Sequence, residues 1–269
     1  QGVLKNSEIP AWTHDSVPGF TTHIWAPDVI RFKNKWYLAY SCSTFGKNTS
    51  AIGLLSNISL SDKDGWKDEG CLVASKGDRD NWNAIDPNFI VDEKGNPWLT
   101  WGSFWDGIQM IKLDKKTMHV KKGAKPQTIA RRHAVGDALA EPNPTSKFAG
   151  TNAIEAPFIM KHGGYYYLFV SWDYCCRGIK SNYRVAVGRS KKVAGPYLDK
   201  EGRDMRNGGG TLILEGDKKE YEAMGHCSAY SFSDGDYFFC HGYSVPKNGA
   251  SILVQKKINW TEDGWLMLE

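Results

Sequence analysis

The chain repeats itself, and the repeat restricts it to β structure. Four stretches can be laid side by side. The first runs Ile24-Trp-Ala-Pro-Asp-Val-Ile-Arg-Phe, a turn at Lys33-Asn-Lys, Trp36-Tyr-Leu-Ala-Tyr-Ser, then Ala51-Ile-Gly-Leu-Leu-Ser. The second runs Ala84-Ile-Asp-Pro-Asn-Phe-Ile-Val, a turn at Glu93-Lys-Gly-Asn, Pro97-Trp-Leu-Thr-Trp-Gly-Ser, then Gly107-Ile-Gln-Met-Ile-Lys-Leu. The third is the clearest: Thr151-Asn-Ala-Ile-Glu-Ala-Pro-Phe-Ile-Met-Lys-His, a Gly163-Gly164 turn, Tyr165-Tyr-Tyr-Leu-Phe-Val-Ser-Trp, then Tyr183-Arg-Val-Ala-Val-Gly-Arg-Ser. The fourth, more distant, runs Gly225-His-Cys-Ser-Ala-Tyr, a turn at Ser233-Asp-Gly, Asp236-Tyr-Phe-Phe-Cys-His-Gly-Tyr, then Ser251-Ile-Leu-Val-Gln-Lys-Lys-Ile.

Each unit predicts an inner strand, a tight hairpin turn, an aromatic-rich second strand and a third strand. Outer strands are expected near Trp66-Lys-Asp-Glu-Gly, Lys125-Pro-Gln-Thr-Ile, Gly195-Pro-Tyr-Leu and Gly264-Trp-Leu-Met. Four-stranded units repeated radially are the plan of a β-propeller. An irregular β-sandwich is the competing architecture. The blade units fall at about 23–75, 82–130, 151–215 and 222–269 in a single domain spanning 1–269, with 1–22 an irregular lead-in broken by Pro10, Pro18 and Gly19. A length of 269 residues suits one large all-β domain. Two long loops stand out. One is Cys42-Ser-Thr-Phe-Gly-Lys-Asn-Thr-Ser50; the other, 131–151, leads to Glu155.

The net charge of +4 is small, and no basic run interleaves with aromatics, which argues against a nucleic-acid partner. No apolar run approaches the ~18 residues of a membrane span. Gln1-Gly-Val-Leu-Lys-Asn does not read as a signal peptide, and that leaves the compartment open. The six cysteines show no zinc spacing. Cys175 and Cys176 are adjacent; a vicinal disulfide and two reduced thiols are both consistent with the sequence. The 11 Trp, 12 Tyr and 11 Phe fit β structure and sugar-stacking surfaces alike.

Three acids sit on the repeat: Asp28, Asp86 and Glu155. Aligned on the prolines, Asp86 immediately precedes Pro87, Glu155 lies two before Pro157, and Asp28 one after Pro27. One offset along a strand can turn a side chain to the other face, so the three are not equivalent. Paired carboxylates among aromatics suggest glycoside hydrolysis, in which an acid protonates the leaving oxygen and a base activates water. Asp28 reads as structural.

The motifs Trp25-Ala-Pro-Asp, Ser43-Thr-Phe-Gly-Lys-Asn-Thr-Ser-Ala-Ile-Gly53, Trp82-Asn-Ala-Ile-Asp-Pro, Gly102-Ser-Phe-Trp105, Ile154-Glu-Ala-Pro-Phe, Cys175-Cys-Arg, Val187-Gly-Arg-Ser, Gly195-Pro-Tyr, Gly208-Gly-Gly and Gly225-His stand out together. They resemble glycoside hydrolase family 43, and within it the endo-α-1,5-L-arabinanases. The resemblance covers the chain from about residue 9 to its end. It implies a five-bladed propeller that cleaves arabinan or arabino-oligosaccharide with inversion, outside the cell or in the periplasm. It implies Glu155 as general acid and Asp86 as the carboxylate that tunes the acid's pKa. His226 matches a channel histidine that holds calcium largely through waters. Trp25, Phe45, Asn83, Ser103, Phe104, Trp105, Cys175 and Cys176 would line the substrate groove.

The sequence also departs from the family. The general base is an Asp in a first-blade His-Asp-Pro motif upstream of Trp-Ala-Pro-Asp. His14-Asp15-Ser16 lacks the proline and any following blade strands, so Asp15 is not assigned as base. The first blade is expected to be missing from this chain, with a fragment, a blade from another chain, or an inactive remnant as the three accounts. The alternative functions are then an arabinan-binding pseudoenzyme, or an exo-acting arabinofuranosidase or xylosidase.

Overall fold

The computed structural model describes residues 24–137 and 143–269. All of its regular structure is β, apart from two short 3-10 turns among the described residues. The four sequence repeats become four antiparallel four-stranded sheets, each in simple meander order. The first is β1 (Ile24–Phe32), β2 (Lys35–Cys42), β3 (Ser50–Asn57) and β4 (Lys67–Ser75). The second is β5 (Asn88–Val91), β6 (Pro97–Trp101), β7 (Ile108–Lys112) and β8 (Gln127–Ala130). The third is β9 (Ile154–His162), β10 (Tyr165–Trp172), β11 (Arg184–Ser190) and β12 (Thr211–Leu214). The fourth is β13 (Tyr221–Phe232), β14 (Gly235–Ser244), β15 (Ala250–Trp260) and β16 (Leu266–Leu268). The segment 1–23, including His14-Asp15-Ser16 and the lead-in, and residues 138–142 lie outside the described residues.

The chain divides into two compact units, 1–127 with 139–151, and 128–138 with 152–269. In the first, a core of Ile52, Leu54, Phe89, Leu99, Trp101 and Met118 joins the faces of the first two sheets. In the second, Phe158, Tyr167, Phe169, Val187, Phe238 and Trp265 do the same for the third and fourth. Strand β3 is buried along its whole length, and β10 from Tyr166 onward. Burial on both faces replaces the alternation expected of a half-exposed strand with a continuous apolar run. Fully burying one such aromatic or aliphatic side chain stabilises by roughly 1.5–3 kcal/mol.

One expected strand is elsewhere. Gly195-Pro-Tyr-Leu is not the outer strand of the third sheet; Thr211–Leu214 is. Gly195 is left-handed at φ 82, and Pro196 has no N–H to give to a ladder. The segment therefore turns, and only Leu198 bridges, to Arg189 and Asp204.

Asp28 ties the first two sheets of unit one together. Its Oδ2 accepts hydrogen bonds from the Phe89 N–H (2.7 Å) and the Asn88 amide (3.2 Å) at the start of β5. Burial pushes its carboxyl up to about 7, against the pull of those bonds and of the Val29 N–H. The structural reading of Asp28 fits this geometry. In the unfolded chain the group titrates near 4. Between those values the folded state binds more protons, so this contribution to stability is full at low pH and is lost as pH rises through 7. Asp28→Ala, which strands the Phe89 N–H, should cost about 1–3 kcal/mol in denaturant unfolding. Asp28→Asn should gain on the wild-type chain as pH is raised from 5 to 8; a constant difference over that range would refute the assignment.

Candidate active site

Two inner strands, β9 and β13, and the approach to a third, β5, share one local distortion. Asp86, Ala156 and His226 all have left-handed backbone, at φ 57, 52 and 52. This conformation is strained for any residue but glycine, at a cost of order 1–2 kcal/mol. In the third sheet, Phe158 pairs with Phe169 and Glu155 with Ser171, so Ala156-Pro157 face the single residue Val170. The first sheet breaks register at the matching place, between Trp25 and Pro27. The proline falls where the ladder needs no N–H.

This distortion settles the inequivalence of the acids. Asp86 is itself the kinked residue, as is His226. Glu155 is the last ladder residue before the kink, the position held by Trp25 in the first sheet and Gly225 in the fourth. A serine on the neighbouring sheet holds the kink in each unit. Ser41 Oγ accepts the Asp86 N–H at 3.0 Å, and Ser171 Oγ accepts the His226 N–H at 2.8 Å. Ser41 Oγ also donates to the Ala26 carbonyl.

In unit two, Glu155 is buried at 8 % exposure, and its Oε1 accepts a 2.6 Å hydrogen bond from the Tyr183 hydroxyl. Tyr183 is equally buried and packs with Ala223 and Tyr243. Its ring lies against Gly225, where an added Cβ would come within 2.2 Å. His226 follows, with its ring 5.8 Å from that of His241. Burial, and then His241, lower the His226 imidazole to about 4, so it is neutral at neutral pH. The loop after β10 places Cys175 against Tyr183 and Tyr243, with Cys176 exposed beside it. At the end of β10, Asp173 pairs with Arg132 (3.1 Å) and Arg184 (2.7 Å), and Arg132 lies over the Trp172 ring.

In unit one, Asp86 is 6 % exposed. Trp25 and Phe45 meet edge to face at 6.4 Å, and Phe45 is 62 % exposed, an apolar ring open to a ligand. Asn83 is buried and turned to structure: its Oδ1 accepts from Ser50 Oγ, which also meets Ser43 Oγ, each at 2.6 Å. Ser103 is buried, whereas Phe104 and Trp105 are half-buried and successively left-handed. Two such non-glycine residues in a row are a strained turn of the kind concentrated at functional sites. Loop 42–50 is tied down by Asn48 on the Asp80 and Trp82 carbonyls and by Ser146 on Gly46.

Among the described residues, no group of three His, Cys, Asp or Glu converges to hold a metal. Calcium takes six to eight oxygens, and one neutral imidazole does not supply that donor set. His226 fits a calcium ion only through intervening water.

Sequence reasoning singled out Glu155, Asp86 and His226 but not Tyr183 or the two serines. The serines had a signal, since Ser41 and Ser171 occupy the same place at the end of the aromatic strand in the first and third repeats. Tyr183 had none, because its pairing with Glu155 depends on the fold.

A buried carboxylate held by a tyrosine, on a β scaffold that also exposes aromatic rings, fits a glycoside hydrolase. The chain belongs to the glycosyl hydrolases of family 43, whose model matches residues 4–266. It is 42 % identical over 276 residues to the extracellular endo-α-(1→5)-L-arabinanase 1 of Bacillus subtilis, covering 98 % of this chain and 78 % of the relative. Among solved structures, it is similar to an exo-1,5-α-L-arabinanase from a bovine ruminal metagenomic library, with TM-score 0.89 and 53 % identity, covering 100 % and 84 % of the two chains. It is also similar to the Cellvibrio cellulosa α-L-arabinanase complexed with arabinohexaose, with TM-score 0.87 and 41 % identity, covering 97 % and 81 %.

Replacing Gly225 by Ala should force the Tyr183 ring off Glu155. The expected result is a loss of about 2 kcal/mol or more of stability from overpacking, whereas Tyr183→Phe should cost about 1–3 kcal/mol from taking this donor away from a buried carboxyl oxygen. Thermal unfolding of both variants checks this; a neutral Gly225→Ala would contradict the contact.

Proposed function

We propose that this chain cleaves α-1,5-L-arabinofuranosyl linkages of arabinan and its oligosaccharides, with Glu155 as general acid. The supporting observation is the buried Glu155–Tyr183 pair at the end of an inner strand, in a chain so similar to arabinanases. Tyr183 donates to Oε1 and so fixes the orientation of the carboxyl that would protonate the departing glycosidic oxygen. Inversion takes place in one displacement by water on the opposite face of the sugar. Asp86 enters the proposal on the resemblance to the family alone, as the carboxylate that tunes the acid. The base that activates water is assigned to none of the described residues.

The exposed Phe45 ring, with Trp25 at its edge, offers a face on which a furanose can stack. Phe104 and Trp105 on their strained turn belong to the same proposal, as do Ser103, Asn83, Cys175 and Cys176. The finer architectural reading is a five-bladed propeller of which four blade units are evident here. Secretion is proposed from the extracellular relative. The exo reading is the alternative favoured by a specific observation, since the 53 % identical structure is of an exo-acting enzyme. The pseudoenzyme reading predicts binding without turnover.

Glu155→Gln should lower kcat on linear arabinan by about 10²–10⁴, the usual worth of general acid catalysis, with KM little changed. Undiminished turnover would refute the acid assignment. Calorimetry with arabino-oligosaccharides separates an enzyme from a binding protein, and the length of the first products from linear arabinan separates endo from exo action. Calcium at His226 is a further part of the proposal. If an ion is bound at a hundred times its Kd, chelation should remove about 2.7 kcal/mol of stability, and His226→Ala should abolish that difference; a chain whose unfolding is indifferent to chelator carries no such ion.

A further inference from the structure

The loop after β10 is pinned from every side. Tyr174 and Asn182 exchange hydrogen bonds at its base. Within it, the Arg177 N–H bonds to the buried Ser181 hydroxyl, and the Cys176 N–H bonds to the Tyr243 hydroxyl at 2.9 Å. Cys176 is held in the left-handed region, at φ 62. The result is that both sulfurs of an adjacent pair point to one place, 2.7 Å apart. Cys176 is open to solvent, whereas Cys175 is half-buried against Tyr183 and Tyr243.

We propose that Cys175–Cys176 is a thiol modification site that closes reversibly to a vicinal disulfide by exchange with a small disulfide such as oxidised glutathione. The Cys176 thiolate attacks one sulfur of the oxidant, forming a mixed disulfide and releasing one thiolate. Cys175 then loses its proton to solvent and attacks Cys176 Sγ. The Cys175–Cys176 bond forms as the Cys176–oxidant bond breaks, and a second thiolate leaves. Two protein thiols are oxidised and one external disulfide is reduced to two thiols.

The chemistry of the pair supports this order of events. The hydrogen bond from Cys175, the largest influence, lowers the Cys176 thiol to about 7, against burial and the nearby Glu155. An attacking thiol is most effective when it titrates near ambient pH. The other four cysteines are unsuited to the reaction. Burial raises Cys42 and Cys240 to about 12 and Cys71 to about 11, and pushes Cys227 up as well. Neighbouring Cα atoms stand ~3.8 Å apart across a trans peptide, closer than the usual disulfide range of about 4.4–6.8 Å. The closed ring is therefore strained and easily reduced again, so the modification reports the surrounding redox poise.

The whole native chain should be incubated with oxidised glutathione, alkylated with iodoacetamide and digested with trypsin. The peptide 162–177 holds both cysteines and no other. After oxidation it should take no alkyl group and be lighter by two hydrogen atoms than its reduced form, and dithiothreitol should restore double alkylation. Cys175→Ser should stop at a stable glutathione adduct on Cys176. Cys176→Ser should react at least tenfold more slowly, which separates the roles of the two sulfurs. A wild-type peptide that remains doubly alkylated, or that accumulates the glutathione adduct, would overturn the proposal. So would equal reactivity of the two single variants.

Discussion

The serine hydroxyls that hold the kinked inner strands govern which side chains reach the strand ends. A left-handed Asp, Ala or His costs of order 1–2 kcal/mol, and its N–H leaves the ladder. Ser41 and Ser171 take up two of those N–H groups, those of Asp86 and His226. A net hydrogen bond contributes about 1 kcal/mol, and an orphaned buried N–H costs about 1–3. The serines therefore offset a strain that would otherwise select against the kink. Without that kink, strand alternation would carry Glu155 and the residue after it to opposite faces in regular order.

The chemistry of unit two follows from this distortion. Glu155, in register with Ser171, sits at the last ladder position, where Tyr183 reaches Oε1. Gly225 holds the equivalent position in the next sheet and is the residue that leaves room for the Tyr183 ring. One repeat position is thus acid in one sheet and empty space in the next. The kinked position carries Asp86 in one unit and the neutral, half-buried His226 in the other. A repeated scaffold has been given different side chains at matching positions, which is how a propeller-type blade can serve both as packing unit and as site.

Much of the fold could be read from the sequence because the aromatic second strands and tight turns recur at matching places. Strands buried on both faces, such as β10, still announce themselves as apolar runs bounded by Gly-Gly and polar residues. The outer strand of the third sheet could not be placed. Gly195-Pro-Tyr-Leu and Thr211-Leu-Ile-Leu both look apolar, and only the missing Pro196 N–H and the left-handed Gly195 decide between them. The acids Asp86 and Glu155 were identifiable as residues, but their difference in position was not, since it arises from a backbone kink. The partnership of Tyr183 with Glu155 bridges 28 residues and two strands, a long-range contact that no local pattern encodes. Asn83 shows the reverse case: the sequence placed it in an expected substrate groove, while its side chain supports Ser50 and Ser43 from within.

The central claim is that Glu155 delivers a proton to a departing oxygen. It is tested most directly by comparing leaving groups. Dinitrophenolate departs from a dinitrophenyl arabino-oligosaccharide without protonation, whereas the sugar hydroxyl released on cleaving linear arabinan requires it. For Glu155→Ala, the account predicts near wild-type release of dinitrophenol together with loss of arabinan cleavage by about 10²-fold or more. Equal loss on both substrates, or retention of both, would contradict it.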